Sequence, residues 1–246
     1  MKYVGSKNKL AKYIAPIIQN YITEDIKGYL EPFVGGANMI DKIKCDNKIG
    51  CDIHEELIEL LKYAQTDYDK LPKTITKEEY NEVKNNREKY PKWYVGLVGF
   101  CASYNGKYFG GYANNVKTKV GTVRNYTDES IRNLKKQAPN LKDINFINCS
   151  FLDLPKDKIK GYVIYCDPPY RDTTKYATDD FPYEAFYDWC RELSKDNIVL
   201  VSEYNMPNDF VCIWKKETKT SLDNGRGASN DKTKRTEKLF ILDKLN

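Results

Sequence analysis

The chain has 246 residues, 41% of them hydrophobic, enough for a sizeable core and suited to one large α/β domain or one domain carrying an insertion. No apolar run approaches the ~20 residues of a membrane span, and Met1-Lys-Tyr-Val-Gly-Ser-Lys7 lacks a signal-peptide core, so a soluble, intracellular (cytoplasmic) protein without membrane contact is expected. Forty Lys and Arg against 35 Asp and Glu leave a net charge of +5, which permits nucleic-acid binding without requiring it; one histidine, His54, and seven scattered cysteines with no Cys-x-x-Cys disfavour a zinc site or a His-dependent hydrolase. The cysteines are read as reduced thiols, and His54 as the residue opening a helix after Asp52.

In chain order, residues 6–19 carry Leu10, Tyr13, Ile14, Ile17 and Ile18 on one side, a helix with Ser6 as its cap. A short basic turn, Tyr3-Val-Gly-Ser-Lys7, precedes it. Gly28-Tyr-Leu-Glu31-Pro32-Phe33 reads as a first strand running into Val34-Gly35-Gly36-Ala-Asn38, with helix character over 38–44. Strand, glycine turn and helix start let a ligand approach the backbone closely. The pattern is neither Gly-x-Gly-x-x-Gly nor a Gly-Lys-Ser/Thr loop, so nucleotide-phosphate binding is not indicated. A second strand, Ile49-Gly-Cys-Asp52, ends in an acid seventeen residues after Gly35, suitably placed to accept bonds from two ribose hydroxyls.

From 55 to 141 the pattern changes. Two or three helices are expected, at 55–64, 77–88 and 92–102, separated by Pro72 and Pro91. Asn105-Gly106, inside Ser103-Tyr104-Asn-Gly-Lys107, is a hairpin signal. Between 103 and 137 seven basic residues, among them Lys107, Lys117, Lys119 and Arg124, face only Asp128 and Glu129 and are interleaved with tyrosines. That mixture suits phosphate contact combined with base contact or intercalation; the alternative is a solvated loop. Strands resume at 144–148, 161–166, 197–202, 210–214 and 238–242, with a helix at 183–195 and a polar, mobile loop from Lys215 to Lys238.

The chemistry centres on Asp167-Pro168-Pro169-Tyr170, in the turn just past the strand at 161–166, where open α/β sheets bind ligands. An amino group conjugated to an aromatic ring is a poor nucleophile because its lone pair is delocalised. Two acceptors aimed at its hydrogens bias it toward a localised, pyramidal pair. Asp167 offers a carboxylate and Pro168 a carbonyl, while two prolines hold the turn rigid and remove amide donors. Tyr170 supplies a flat face for a base swung out of its stack. Ordinary turn chemistry is the alternative for Asp-Pro-Pro taken alone.

In order, Tyr3-x-Gly-Ser-Lys7, Glu31-Pro-Phe-Val-Gly-Gly36, Asp52, a basic insertion with Tyr104-Asn-Gly106, Asp167-Pro-Pro-Tyr170 and Arg235-Thr-Glu-Lys-Leu-Phe-Ile-Leu242 closely resemble the Dam-like (D12 class, α-group) DNA adenine-N6 methyltransferases over most of the chain. The resemblance implies an S-adenosylmethionine-dependent methyltransferase (Rossmann-like) α/β fold: a mixed seven-stranded sheet with an inserted, mostly helical DNA-recognition domain containing a β-hairpin. It places the catalytic domain at 1–54 and 142–246 and the insert at 55–141. It further implies cofactor contacts from Tyr3, Lys7, Glu31, Pro32, Phe33, Gly35, Gly36, Asp52, Ile53, Phe151 and Asp167, catalysis by Asp167, Pro168, Pro169 and Tyr170, and DNA contacts from Tyr104, Asn105, Gly106, Lys107, Lys117, Lys119 and Arg124. The implied enzyme methylates adenine N6 in double-stranded DNA with base flipping, without metal, as a monomer or weak dimer. An RNA adenine methyltransferase and a non-catalytic DNA-binding protein remain open alternatives, and the residues that read bases are not matched one for one.

Overall fold

The computed structural model describes residues 1–117, 121–170, 181–219 and 234–243. Two compact units divide the chain, Met1–Ile22 with Gly28–Leu154 and Thr23–Lys27 with Pro155–Asn246. The chain holds a mixed seven-stranded sheet.

The first unit opens with a 3-10 turn, Lys7–Lys9, whose start is capped by Ser6 Oγ accepting from the Asn8 N–H at 3.2 Å. Helix α1 (Ala11–Asn20) follows and buries Ala11, Ile14, Ala15 and Ile18, one stripe at helical spacing. Strand β1 (Gly28–Glu31) is buried throughout. The helix predicted over 38–44 is reduced to a single 3-10 turn, Ile40–Lys42. Gln19 explains the loss: its carboxamide bonds both the N–H and the C=O of Lys44, at 2.9 and 3.0 Å, and draws the chain out toward β2 (Lys48–Asp52).

Helices α2 (Glu55–Asp67), α3 (Lys77–Asn85) and α4 (Lys92–Gly96) come next, the last passing into a π-helical turn, Leu97–Cys101. A capping box between Thr76 and Glu79 starts α3. Helices α2 and α4 pack so closely that a Cβ at Gly96 would lie 2.1 Å from the Glu56 carbonyl oxygen, so only glycine fits there. Asn105-Gly106 does not form the predicted two-residue hairpin; it lies in a 3-10 turn, Tyr104–Gly106, bracketed by one antiparallel bridge, Ser103 to Tyr112. Both residues take the positive φ that such a turn requires (54° and 67°), but Phe109 at φ 44° and Gly111 at φ 113° break up the chain that would have formed the second strand. A small hairpin does form further on, β3 (Val116–Lys117) against β4 (Val123–Arg124). Helix α5 (Tyr126–Gln137), which the sequence reading missed, is capped by Asn125. Strand β5 (Ile144–Asn148) then lies parallel to β2, and β2 parallel to β1.

In the second unit, β6 (Tyr162–Cys166) pairs in parallel with β7 (Ile198–Glu203), and α6 (Tyr183–Leu193) connects them. Both strands are buried along nearly their whole length, as expected of central parallel strands. Strand β8 (Phe210–Lys219) and β9 (Lys234–Leu242) complete it, with β9 antiparallel to both β7 and β8. These two strands run longer than predicted, so much of the expected loop at 215–238 is ladder, and its remainder, 220–233, lies outside the described residues. All seven cysteines are thiols, none in a disulfide. Among the described residues no helix is long and apolar enough to cross a membrane, and no cluster of His, Cys, Asp and Glu could hold a metal ion.

Candidate active site

The predicted cofactor-binding residues other than Asp167 fall in the first unit, and the predicted catalytic residues fall in the second. In the first, Pro32 ends β1 because it has no N–H for the ladder. The chain then turns through Gly35 at φ 48° and Ala37 at φ 54°. Asp52, at the end of β2, braces this turn: Oδ2 accepts from the Gly35 N–H at 3.0 Å, and Oδ1 from the His54 N–H at 3.0 Å. A carboxylate has about four acceptor positions, so two amide bonds orient it and leave capacity for further donors. Asp52 is half-buried, and burial pushes its carboxyl above the ordinary value, against the pull of the two amides and of His54.

Asn148 fixes the next turn of chain, donating to the carbonyls of Asp52 and Ile53, each at 3.0 Å, while the Ile53 side chain is left 76% exposed. Phe33 and Phe151 meet at 5.4 Å. Glu31 is buried and accepts from the Tyr29 hydroxyl at 2.7 Å. The two glycines answer to Tyr3 as much as to any ligand: an added Cβ would come within 2.8 Å of its ring at Gly35 and 2.9 Å of its Cβ at Gly36. Lys7 is half-buried in the turn that follows.

Contacts of Phe100 and Gln137 that the sequence did not reveal tie these residues to the stretch 55–141. Tyr3 packs on Phe100 at 5.6 Å, and Phe100 also meets His54 and Tyr108, each at 5.0 Å. Gln137, the last residue of α5, donates to the carbonyls of Gly36 and Ala37 at 3.1 and 2.8 Å. His54 opens α2 as expected; burial lowers its pKa, and Nδ1 lies 3.2 Å from Glu56 Oε2.

In the second unit, Asp167 to Tyr170 directly follow β6. Asp167 is half-buried, Pro168 buried and Pro169 exposed, with the Pro169 carbonyl accepting from the Tyr183 hydroxyl at 3.2 Å. Tyr170 is only 7% exposed. Its hydroxyl donates to Glu237 Oε2 at 3.0 Å, and its ring meets Tyr204 edge-on at 4.6 Å and 88°. Burial above all, with Asp167 and Glu237 nearby, pushes the phenol well above its ordinary pKa. Glu237 was not foreseen, yet its signal was in the sequence: an acid in register with Leu239 on the inward side of a period-two strand.

The predicted DNA-contacting residues lie in the first unit. Tyr104, Asn105, Lys107, Lys117 and Arg124 are exposed, Gly106 is buried against the backbone of Lys2, and Lys119 lies outside the described residues. Arg124 is engaged as a fork with Glu129, at 2.6 and 2.8 Å, and lies 4.9 Å over the Tyr126 ring. Lys2 approaches the same Glu129 at 3.1 Å and the same ring at 4.4 Å. Beside them Arg132 joins Arg124, Asn125 and Asp128 in a shallow recess.

Known proteins similar to this chain are methyltransferases. The chain is 23% identical over 221 residues to the type II methyltransferase M.MjaIII of Methanocaldococcus jannaschii, covering 77% of this chain and 74% of that one. It is 25% identical over 210 residues to the type II methyltransferase M.FokI of Planomicrobium okeanokoites, covering 78% of this chain but only 31% of the relative. Solved structures of TrmN from Thermus thermophilus (9% identity, 93% of this chain and 48% of that one) and of SMU.472 complexed with SAH (12% identity, 96% and 52%) align at a TM-score of 0.40, which leaves the assignment resting on sequence. Residues 3–95 and 93–220 match one family, and the chain therefore belongs to the D12 class N6 adenine-specific DNA methyltransferases, which take their methyl group from S-adenosylmethionine.

Proposed function

We propose that Asp167 and the Pro168 carbonyl accept the two N6 hydrogens of an adenine swung out of duplex DNA, that Tyr170 holds the base, and that residues 55–141 recognise the DNA. The observation that carries this reading is the Asp167-Pro-Pro-Tyr170 segment itself, which directly follows a buried strand. Prolines at 168 and 169 remove the backbone donors that would otherwise compete for the carboxylate. Acceptors at both hydrogens favour the pyramidal nitrogen, and the Asp167 carboxylate stabilises the positive charge that grows there as the methyl arrives.

The first unit's residues fit the cofactor. Asp52 is an oriented carboxylate with acceptor capacity for a ribose diol, and Ile53 beside it presents an exposed apolar side chain suited to a flat heterocycle. Tyr3, Lys7, Glu31, Phe33, Gly35, Gly36 and Phe151 would complete the pocket. S-adenosylmethionine, when bound, supplies the methyl on a sulfonium that leaves as a neutral thioether, so the chain contributes alignment and acceptors and no metal is required.

Transfer of tritium from labelled cofactor tests the reading. Duplex DNA is expected to be labelled at adenine N6, RNA of the same sequence not, and Asp167→Ala is expected to lose ~100-fold or more in turnover while melting like the wild type. Label in RNA alone, or a mutant retaining more than about a tenth of wild-type turnover, would overturn it.

A further inference from the structure

We infer that Glu237 is a positioning residue for methyl transfer, acting through the hydroxyl of Tyr170; the inference rests on the base-holding role proposed for that tyrosine. A tyrosine ring has two torsions to fix. The hydroxyl lies on the axis about which the ring spins, so a bond at that atom sets where the ring points but not its spin. Glu237 Oε2 supplies that bond at 3.0 Å. The spin is set separately by the edge-on contact with Tyr204, at 4.6 Å and 88°.

Tyr204 is itself held. Its N–H donates to the buried Glu203 at 2.7 Å, and the Arg235 guanidinium lies 5.6 Å over its ring with Nη1 3.4 Å from its hydroxyl. Glu203 ends β7, and Arg235 and Glu237 both belong to β9, so two adjacent strands of the second unit converge on one aromatic side chain. A carboxylate that is only 9% exposed on a strand costs desolvation, and the bond from the phenol is one of the contacts that offset it. A ring held by its hydroxyl and one edge has less freedom to lose when a base is captured, a gain in the transfer step and not in cofactor binding.

Steady-state methyl transfer to duplex DNA by the full chain, with cofactor calorimetry and thermal melting, tests this in Glu237→Ala, Glu237→Gln, Tyr170→Phe and the double variant Tyr170→Phe/Glu237→Ala. Glu237→Ala and Tyr170→Phe are each expected to lower kcat/KM for DNA by about tenfold, and the double variant by no more than about twofold beyond either. Glu237→Gln keeps an oxygen that accepts the phenol proton and is expected to stay within about threefold of wild type. The cofactor Kd should not move in any of them. Multiplying losses in the double variant, an inert Glu237→Ala, or a parallel loss of cofactor affinity would overturn the inference. If Glu237→Ala melts too low to assay, wild-type activity in Tyr170→Phe overturns it by itself. Wild-type activity in Tyr170→Ala would sink the role proposed for the tyrosine, whereas a dead Tyr170→Ala beside active Tyr170→Phe and Glu237→Ala would sink only this inference.

Discussion

Asp52 does two jobs with one carboxylate: it braces the glycine turn and, as proposed, holds the cofactor ribose. Asp52→Ala is therefore expected to weaken cofactor binding by about 1.5–3 kcal/mol, the range for a hydrogen bond to a charged group, with a smaller effect on DNA affinity, both read by calorimetry. Equal losses would remove the ribose role. Burial holds this carboxyl above its ordinary 3.8, and the sign of the consequence follows. For an acid raised in the folded state, folding favours the protonated form, so the protein without cofactor gains stability as pH falls through the folded-state value toward 3.8. Over that same window cofactor affinity drops, because a protonated oxygen accepts less well; Asp52→Asn should abolish the pH dependence. Gly35→Ala is expected to cost ~1–2 kcal/mol in melting experiments from the left-handed backbone alone, plus displacement of the Tyr3 ring. The spacing from Gly35 to Asp52 was visible in the sequence. That the two residues bond each other was not, since it depends on β1 and β2 lying side by side.

Among the elements, the parallel strands were the most legible: Ile49–Asp52, 144–148, 161–166 and 197–202 lie within a residue or two of the observed β2, β5, β6 and β7, and β6 and β7 above all declare themselves as buried apolar runs. Helix α5 escaped notice because much of its buried face is polar, Thr127, Ser130 and Gln137 alternating with Ile131 and Leu134, so charge drew more attention than period. The Asn105-Gly106 turn chemistry was right and the ladder it implied was absent, since Gly110 and Gly111 follow too soon. Arg124 on β4 is the element's other lesson. Arg124 first, with Lys2 behind it, holds the Glu129 carboxyl down at about 2, so the clamp persists across the pH range of any binding assay. Glu129→Gln should free the guanidinium, tighten binding to all duplexes alike and steepen the salt slope by roughly one unit. Lys117→Ala should flatten that slope by about one unit without altering discrimination among single-base variants. Unchanged slopes in both variants would move recognition away from this hairpin.

For the whole molecule, the proposed functional boundary of the insert, 55–141, is not a packing boundary. Gln65 on α2 donates to the carbonyls of Leu141 and Ile144, each at 2.7 Å, and the insert shares the first unit's core. Composition could mark where chemistry changes, but not which residues share an interior. The compact units instead divide the chain so that five early residues, Thr23–Lys27, belong with everything after Leu154. Lys27 gives its N–H to the Gly161 carbonyl at 2.8 Å. During synthesis that partner emerges roughly 130 residues later, which at ribosomal speeds of about 5–20 residues per second is on the order of ten seconds. Throughout that interval the first unit has all its residues or is gathering them, while this short stretch waits with its amide in water. Ribosome-bound chains halted after Leu154 should be cut by protease within Thr23–Lys27, and the finished chain should resist there. Assembly is thereby expected to follow the order of translation, with Tyr170 waiting for Tyr204 and Glu237 to emerge.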